Sequence, residues 1–309
     1  MSVDSATLAA EYAALRTGLG AHRLPRDMLS VSGADAATYL QGQCSQDLAA
    51  LEIGRSVDSL LLAPEGKVVA LIRVLRRGED SFVLDVDAGF GEAVSARLGR
   101  FLLRAKVAVE ALDWECVALR GDIGGNSGGE VGSDGWSVPV EWNGWRGIDL
   151  LGPAGTVTVS ADALWCGDDA WEACRIESGV PVMGRELDEG TIPAESGLVE
   201  RAVSFTKGCY TGQELVARID SRGNRVARRL CGLVVDASSD PGGLIGAELV
   251  AGDSEKVLGR VTSAALCPGL DAVGALAYVH RSVEVPADLA LSTGAGDDIA
   301  AQVRALPLV

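Results

Sequence analysis

A chain of 309 residues with 48% hydrophobic and 23% charged side chains can bury one large core or roughly two to three ordinary ones, and it excludes disorder, collagen and coiled coil. Forty-three acids against 27 bases leave a net charge of −16, which repels phosphate backbones and anionic lipid and argues against direct nucleic-acid or membrane binding outside a local basic site. Apolar runs are short, Arg73 interrupting residues 68–75, and none reaches the ~18 residues of a spanning helix. The opening MSVDSATLAAEYAALR carries Asp4 and Glu11 and no basic leader, so it reads as an amphipathic helix and the expected location is cytoplasmic. Seven cysteines, an odd number, fit reduced thiols better than disulfides. With no C-x-x-C pair and only His22 and His280, no zinc or iron-sulfur site is expected.

Leu8, Tyr12, Leu15 and Leu19 recur at helical steps, which predicts a first helix running to the Gly18 and Gly20 region. Residues 35–40 predict a second. Residues 57–62, 68–75 and 81–86 read as strands whose short connections, Pro64-Glu-Gly-Lys67 and Arg77-Gly-Glu-Asp80, imply an antiparallel meander. Val94, Leu98, Phe101 and Leu102 predict a helix over 90–104, and 106–110 alternates as a strand; a helix on an antiparallel sheet results. Seven glycines between Gly121 and Gly135 read as a flexible surface connection, and no lysine is placed to make 124–129 a phosphate loop. Trp136, Trp142 and Trp145 fit alternating half-buried strands better than a ligand platform. Residues 167–179 read as a helix opened by Asp168 and Asp169. From Leu230 onward, 230–235, 249–250, 257–262, 275–280 and 287–292 alternate with Gly, Pro and Asp turns, predicting a small barrel or sandwich after a boundary near 222–228. The fold class is α+β with a C-terminal β-barrel, divided into residues 1–222 and 223–309.

Ser204-Phe-Thr-Lys207-Gly208-Cys209-Tyr210-Thr211-Gly212-Gln213-Glu214 is the stretch richest in chemistry. Gly208 and Gly212 permit tight turns on either side of Cys209, and residues 213–218 read as the start of a helix. Amide hydrogens at that helix start and Lys207 two residues away both favour thiolate over thiol, which predicts a nucleophilic or redox-active Cys209; the competing reading is a small buried core residue.

Lys207-Gly-Cys-Tyr-Thr-Gly-Gln-Glu214 resembles the K-G-C-Y-x-G-Q-E signature of the YgfZ-type relatives of glycine-cleavage T-protein. Leu29-Ser-Val-Ser-Gly-Ala-Asp-Ala36 with Tyr39-Leu-Gln-Gly-Gln43, Arg175-Ile-Glu-Ser-Gly179, Ile192-Pro-Ala-Glu-Ser-Gly-Leu198 and Leu258-Gly-Arg-Val-Thr-Ser263 resemble further landmarks of that family in order along the chain. The resemblance implies two intertwined antiparallel α+β portions around a central folate-sized hole, then the barrel. It implies tetrahydrofolate or a folate derivative as ligand. It also implies a part in assembling or repairing iron-sulfur enzymes, among them a radical methylthiotransferase of transfer RNA, with Cys209 supplying a thiol that Lys207 tunes or positions. A pterin presents its 2-amino and N3 hydrogens as parallel donors to one carboxylate, and Glu195 stands where T-proteins resembling this chain carry a pterin-binding glutamate.

Two departures matter. Aminomethyltransferases of the family carry an aspartate after a Gly-Gly turn, whereas here Glu65-Gly66-Lys67 leads into Val68-Val69-Ala70; without that carboxylate glycine cleavage is not expected to run. Asp240-Pro-Gly-Gly243 occupies the place of the family's arginine after the first barrel strand. Arg218, Arg222, Arg225, Arg228 and Arg229 could meet the glutamate tail of folate or a partner's acidic face, or be a solvated linker run. The leading reading is a folate-binding accessory protein for iron-sulfur enzymes; a folate-dependent one-carbon transferase and a non-catalytic folate-sensing module are the alternatives. A thiol-histidine hydrolase lacks context, His22 and His280 reading as structural.

Overall fold

The computed structural model describes residues 4–123, 128–251, 256–294 and 298–309. Helix α1 (Ser5–Arg16) buries Leu8 and Leu15, as the stripe predicts, but Leu19 opens strand β1 (Leu19–Arg23) instead of continuing the helix. The reason lies at Gly20, where a Cβ would meet the Leu15 backbone nitrogen at 2.9 Å: the chain folds back on the helix it has just left.

There follow β2 (Arg26–Ser32), α2 (Ala36–Gln43), β3 (Ser56–Leu62), β4 (Val68–Gly78), β5 (Ser81–Asp87), α3 (Gly91–Gly99) and β6 (Ala108–Leu112). Strands β3, β4, β5, β2 and β6 make, in that order, one antiparallel five-stranded sheet, the expected meander extended at one edge. Leu29, Ile72, Val74 and Leu84 from the strands pack with Tyr39 and Leu40 of α2 and with Val94 and Leu98 of α3 into an apolar core. Helix α3 is shorter than the predicted 90–104: it stops at Gly99, and Phe101 lies in the loop beyond.

The next strands are β7 (Trp114–Gly121), β8 (Gly129–Glu130), β9 (Trp136–Trp142), β10 (Trp145–Pro153), β11 (Thr158–Val159) and β12 (Leu164–Trp165). A second sheet runs β12-β1-β7-β10-β9, and β8 pairs with β11. Of the glycine-rich connection, residues 124–127 lie outside the described residues and Gly129 belongs to β8. The tryptophans sit on strands: Trp145 is buried, donates its indole N–H to the Leu15 carbonyl at 3.1 Å and lies 4.7 Å from Trp171. Trp171 belongs to α4 (Asp168–Glu177), the predicted helix, and stacks on His22 at 4.5 Å. Burial lowers the pKa of His22, and its Nδ1 is 3.0 Å from the Cys166 carbonyl.

After α5 (Val199–Ala202) and α6 (Gln213–Asp220) come β13 (Arg228–Val235), α7 (Pro241–Leu244), β14 (Glu248–Val250), β15 (Val257–Cys267), β16 (Ala272–His280), β17 (Ala287–Ser292) and β18 (Ile299–Arg304). The six strands close into a barrel, β13-β16-β15-β14-β17-β18, around Leu233, Leu249, Val261, Val279, Leu291 and Val303. The chain divides into two compact units. One comprises the described residues within Met1–Leu24, Cys116–Pro181 and Ala227–Val309, the other Pro25–Glu115 and Val182–Val226. Among the described residues no helix is long and apolar enough to cross a membrane.

Candidate functional site

Lys207, Cys209 and Glu195 all belong to the unit built on the meander sheet. All seven cysteines lie among the described residues; Cys209 is exposed and the other six are buried. Burial pushes the thiols of Cys44 and Cys174 up to about 12 and that of Cys166 to about 11. Cys209 is therefore the one thiol in the chain that solvent reaches freely.

The segment carrying Cys209 is pinned at both ends, to the last turn of α2 and to the chain that leaves it. Ser204 donates its N–H to the Ser45 carbonyl at 3.0 Å, and Thr211 donates to Gly42 at 3.2 Å. Gly212 adopts φ 85°, and a Cβ there would stand 2.6 Å from the Ala63 oxygen. Across from it Gly66, φ 79°, would place a Cβ 2.5 Å from the Leu215 Cβ. The two glycines let the β3–β4 hairpin and the start of α6 touch at backbone distance, and no larger residue fits either place. Gly208 departs from expectation: it lies outside the left-handed region and has no atom within 4 Å of a would-be Cβ. It makes no tight turn and leaves open space beside Cys209.

Lys207 is only half consistent with its expected part. Its Nζ donates to the carbonyls of Gln41 at 2.6 Å, Cys44 at 2.6 Å and Gln46 at 2.8 Å, which uses all three ammonium hydrogens and leaves none for the thiol. A cation on the last carbonyls of α2 is favoured by the helix dipole, and the ring centre of Tyr210 lies 5.3 Å from it. Burial lowers the pKa of Lys207. Its side chain thus fastens the Cys209 segment to α2.

Glu195 is 8% exposed, which excludes the surface-glutamate reading. It sits in a loop of successive turns: its N–H bonds the Ile192 carbonyl at 3.0 Å, Leu198 bonds Pro193 at 3.2 Å, and Ser196 Oγ bonds Pro193 at 3.2 Å. Just ahead of this loop, the Thr191 carbonyl accepts from Val68 at 2.9 Å, at the start of β4. The Glu195 loop and the Cys209 segment are therefore both attached to the β3–β4 hairpin, and α5, which lies between them, is attached to the exit of α2, where Ser45 Oγ bonds Ala202 at 2.5 Å and Gln46 Nε2 bonds Arg201 at 3.3 Å. A buried carboxylate on a fixed turn has the chemistry to hold the paired donors of a pterin.

The five arginines between 218 and 229 separate. Arg218, Arg222, Arg225 and Arg229 are exposed, but Arg229 also donates to the Val283 carbonyl at 2.9 Å, and the half-buried Arg228 stacks on Tyr278 at 4.4 Å. Asp240 caps α7 through the amides of Gly242 and Gly243 at 3.2 and 3.1 Å. Sequence reasoning missed Gln41, Ser45 and Gln46. The signal was the polar run Gln41-Gly-Gln-Cys-Ser-Gln-Asp47, which spans the end of α2 and the chain beyond it.

Comparison with known proteins fits this framework. Residues 228–309 match the glycine cleavage T-protein C-terminal barrel domain. The fold aligns with the crystal structure of glycine cleavage system aminomethyltransferase T from Bartonella henselae at TM-score 0.82 and 23% identity, covering 98% of this chain and 89% of that one. The chain thus has the T-protein fold. It is 29% identical to the tRNA-modifying protein YgfZ of Edwardsiella ictaluri, over 91% of this chain and 88% of that protein. It is likewise 29% identical to the mitochondrial iron-sulfur cluster assembly factor IBA57 homolog of Neurospora crassa, over 68% of this chain and 52% of that protein. Within the T-protein fold, this chain is a YgfZ-type relative.

Proposed function

We propose that the protein is a folate-binding, cytoplasmic accessory factor for iron-sulfur enzymes, a radical methylthiotransferase of transfer RNA among them, and that Cys209 is its working thiol. The observation that carries this reading is the exposure of Cys209 in a chain that buries its six other cysteines. Relatives named for tRNA modification and for iron-sulfur cluster assembly support the client class. Glu195 would hold the pterin of tetrahydrofolate or a derivative, and Lys207 would position the Cys209 segment. Tetrahydrofolate, when bound, supplies a carrier of one-carbon units. The residues that open β4, Val68-Val69-Ala70, offer no carboxylate for proton transfer, so aminomethyl transfer is not assigned to the site.

The test compares Cys209→Ala with Glu195→Ala in cells lacking the native protein, reading cluster-enzyme activity and methylthiolated transfer RNA, with folate titrations of both purified variants. Glu195→Ala is expected to abolish folate binding while the fold persists, and Cys209→Ala to keep folate binding and lose client activity. Unchanged folate affinity in Glu195→Ala, or full client activity in Cys209→Ala, refutes the corresponding assignment.

A further inference from the structure

The stretch Arg97-Leu-Gly-Arg100-Phe-Leu-Leu-Arg104-Ala-Lys106-Val-Ala-Val109 holds four cations and no acid, in a chain whose net charge is −16. Leu103 is 87% exposed, the most exposed large apolar side chain among the described residues, and Phe101 is 41% exposed. Arg100, Arg104 and Lys106 are exposed too, and among the described residues none forms an ion pair. The loop is anchored: Leu102, Ala105 and Val107 pack on the core under the meander sheet. Phe101 lies against Arg97, whose guanidinium carbon is 4.5 Å from the ring centre. Arg104 holds φ 70°, a costly conformation for arginine. An ordered loop that presents two large apolar side chains among cations has the composition of a recognition surface.

We propose that residues 99–106 dock an acidic segment of a partner protein that also carries exposed apolar side chains. Charge complementarity selects this occupant. A membrane or a nucleic acid is an extended anionic surface and meets the repulsion of the whole acidic chain. A short acidic segment bound within about one Debye length, ~8 Å, senses chiefly the loop. The loop is also tied to the site, since Arg97 donates to the Leu62 carbonyl and to Gln43 Oε1, both at 3.0 Å, and Gly42 beside Gln43 accepts from Thr211. Identifying the partner with the client enzyme rests on the Cys209 reading; the docking surface itself does not.

The test measures binding of a fluorescent peptide of alternating glutamate and leucine to the full chain without folate, in the native sequence and in Cys209→Ala. Leu103→Ser and Arg100→Glu are each expected to weaken binding about tenfold with the thermal midpoint unchanged. Arg104→Gly removes a cation at a backbone conformation that glycine prefers, so weaker binding there is not an unfolding effect. Salt raised from about 0.05 to about 0.5 M should weaken the native complex. Binding indifferent to all three substitutions, equal affinity for a lysine-leucine peptide, or stronger binding to phosphatidylserine–phosphatidylcholine vesicles or to RNA overturns the proposal. Such a failure leaves the Cys209 and Glu195 assignments standing, because their test reads folate affinity and client activity.

Discussion

The barrel and the Cys209 segment are built on opposite principles. In the barrel, strands close on themselves around Leu233, Leu249, Val279, Leu291 and Val303, and its cysteines Cys231 and Cys267 are small buried residues. In the Cys209 segment Phe205, Thr206, Gly208 and Cys209 are exposed, and the fixing is done by Lys207 on three carbonyls and by two glycines pressed backbone to backbone. Apolar burial gives the first its stability; the second keeps its thiol in solvent and depends on a few polar and steric constraints.

The difference can be broken at several points, with effects of decreasing size. Leu249→Ala, at a site with no exposure, should cost roughly 2–5 kcal/mol and leave the alkylation rate of Cys209 unchanged, as read by thermal denaturation and mass spectrometry. Gly212→Ala should cost about 1–3 kcal/mol, through a strained φ and a Cβ against the Ala63 oxygen, and should also alter that rate. Lys207→Met, which strips three carbonyls of their donor, should cost roughly 1–3 kcal/mol and loosen the segment, seen as faster hydrogen exchange at Thr211. The folded protein is expected to take up a single equivalent of iodoacetamide, and Cys209→Ala should abolish that uptake while changing stability by less than ~0.5 kcal/mol.

Alkaline titration sharpens the same contrast. The ordinary thiol value of 9.0 is raised by burial to about 12 at Cys44 and Cys174 and about 11 at Cys166. Above pH 9 the unfolded chain releases these protons and the folded chain keeps them, so the folded state binds more protons and its stability falls as the pH climbs towards about 12. Thermal midpoints across that window should fall less steeply in Cys44→Val.

Much of this architecture is legible in sequence because its signal is periodic. The stripe of α1, the meander of β3, β4 and β5, and five of the six barrel strands follow from it. Strand β1 escapes because Leu19 continues the helical stripe, and only the space around Gly20 turns the chain. Strand β18, Ile299–Arg304, carries the weak pattern Ile-Ala-Ala-Gln-Val-Arg. The sequence singles out Cys209 and Glu195 from two separate stretches, but proximity in sequence does not say where a flexible side chain points. Lys207, two residues from the thiol, reaches carbonyls of the chain leaving α2. The five-arginine run likewise reads as one patch, although Arg228 and Arg229 are already engaged in the barrel.

The interleaving of segments has a consequence for biosynthesis. As the ribosome delivers the chain, the meander sheet has all its strands once Leu112 has emerged, whereas α1 must wait for α4 to supply Trp171 and Cys174 against Leu8 and Leu15. Leu8 and Leu15 therefore lack the α4 side chains that cover them through the making of an entire sheet. That interval is when a holdase chaperone has something to grip.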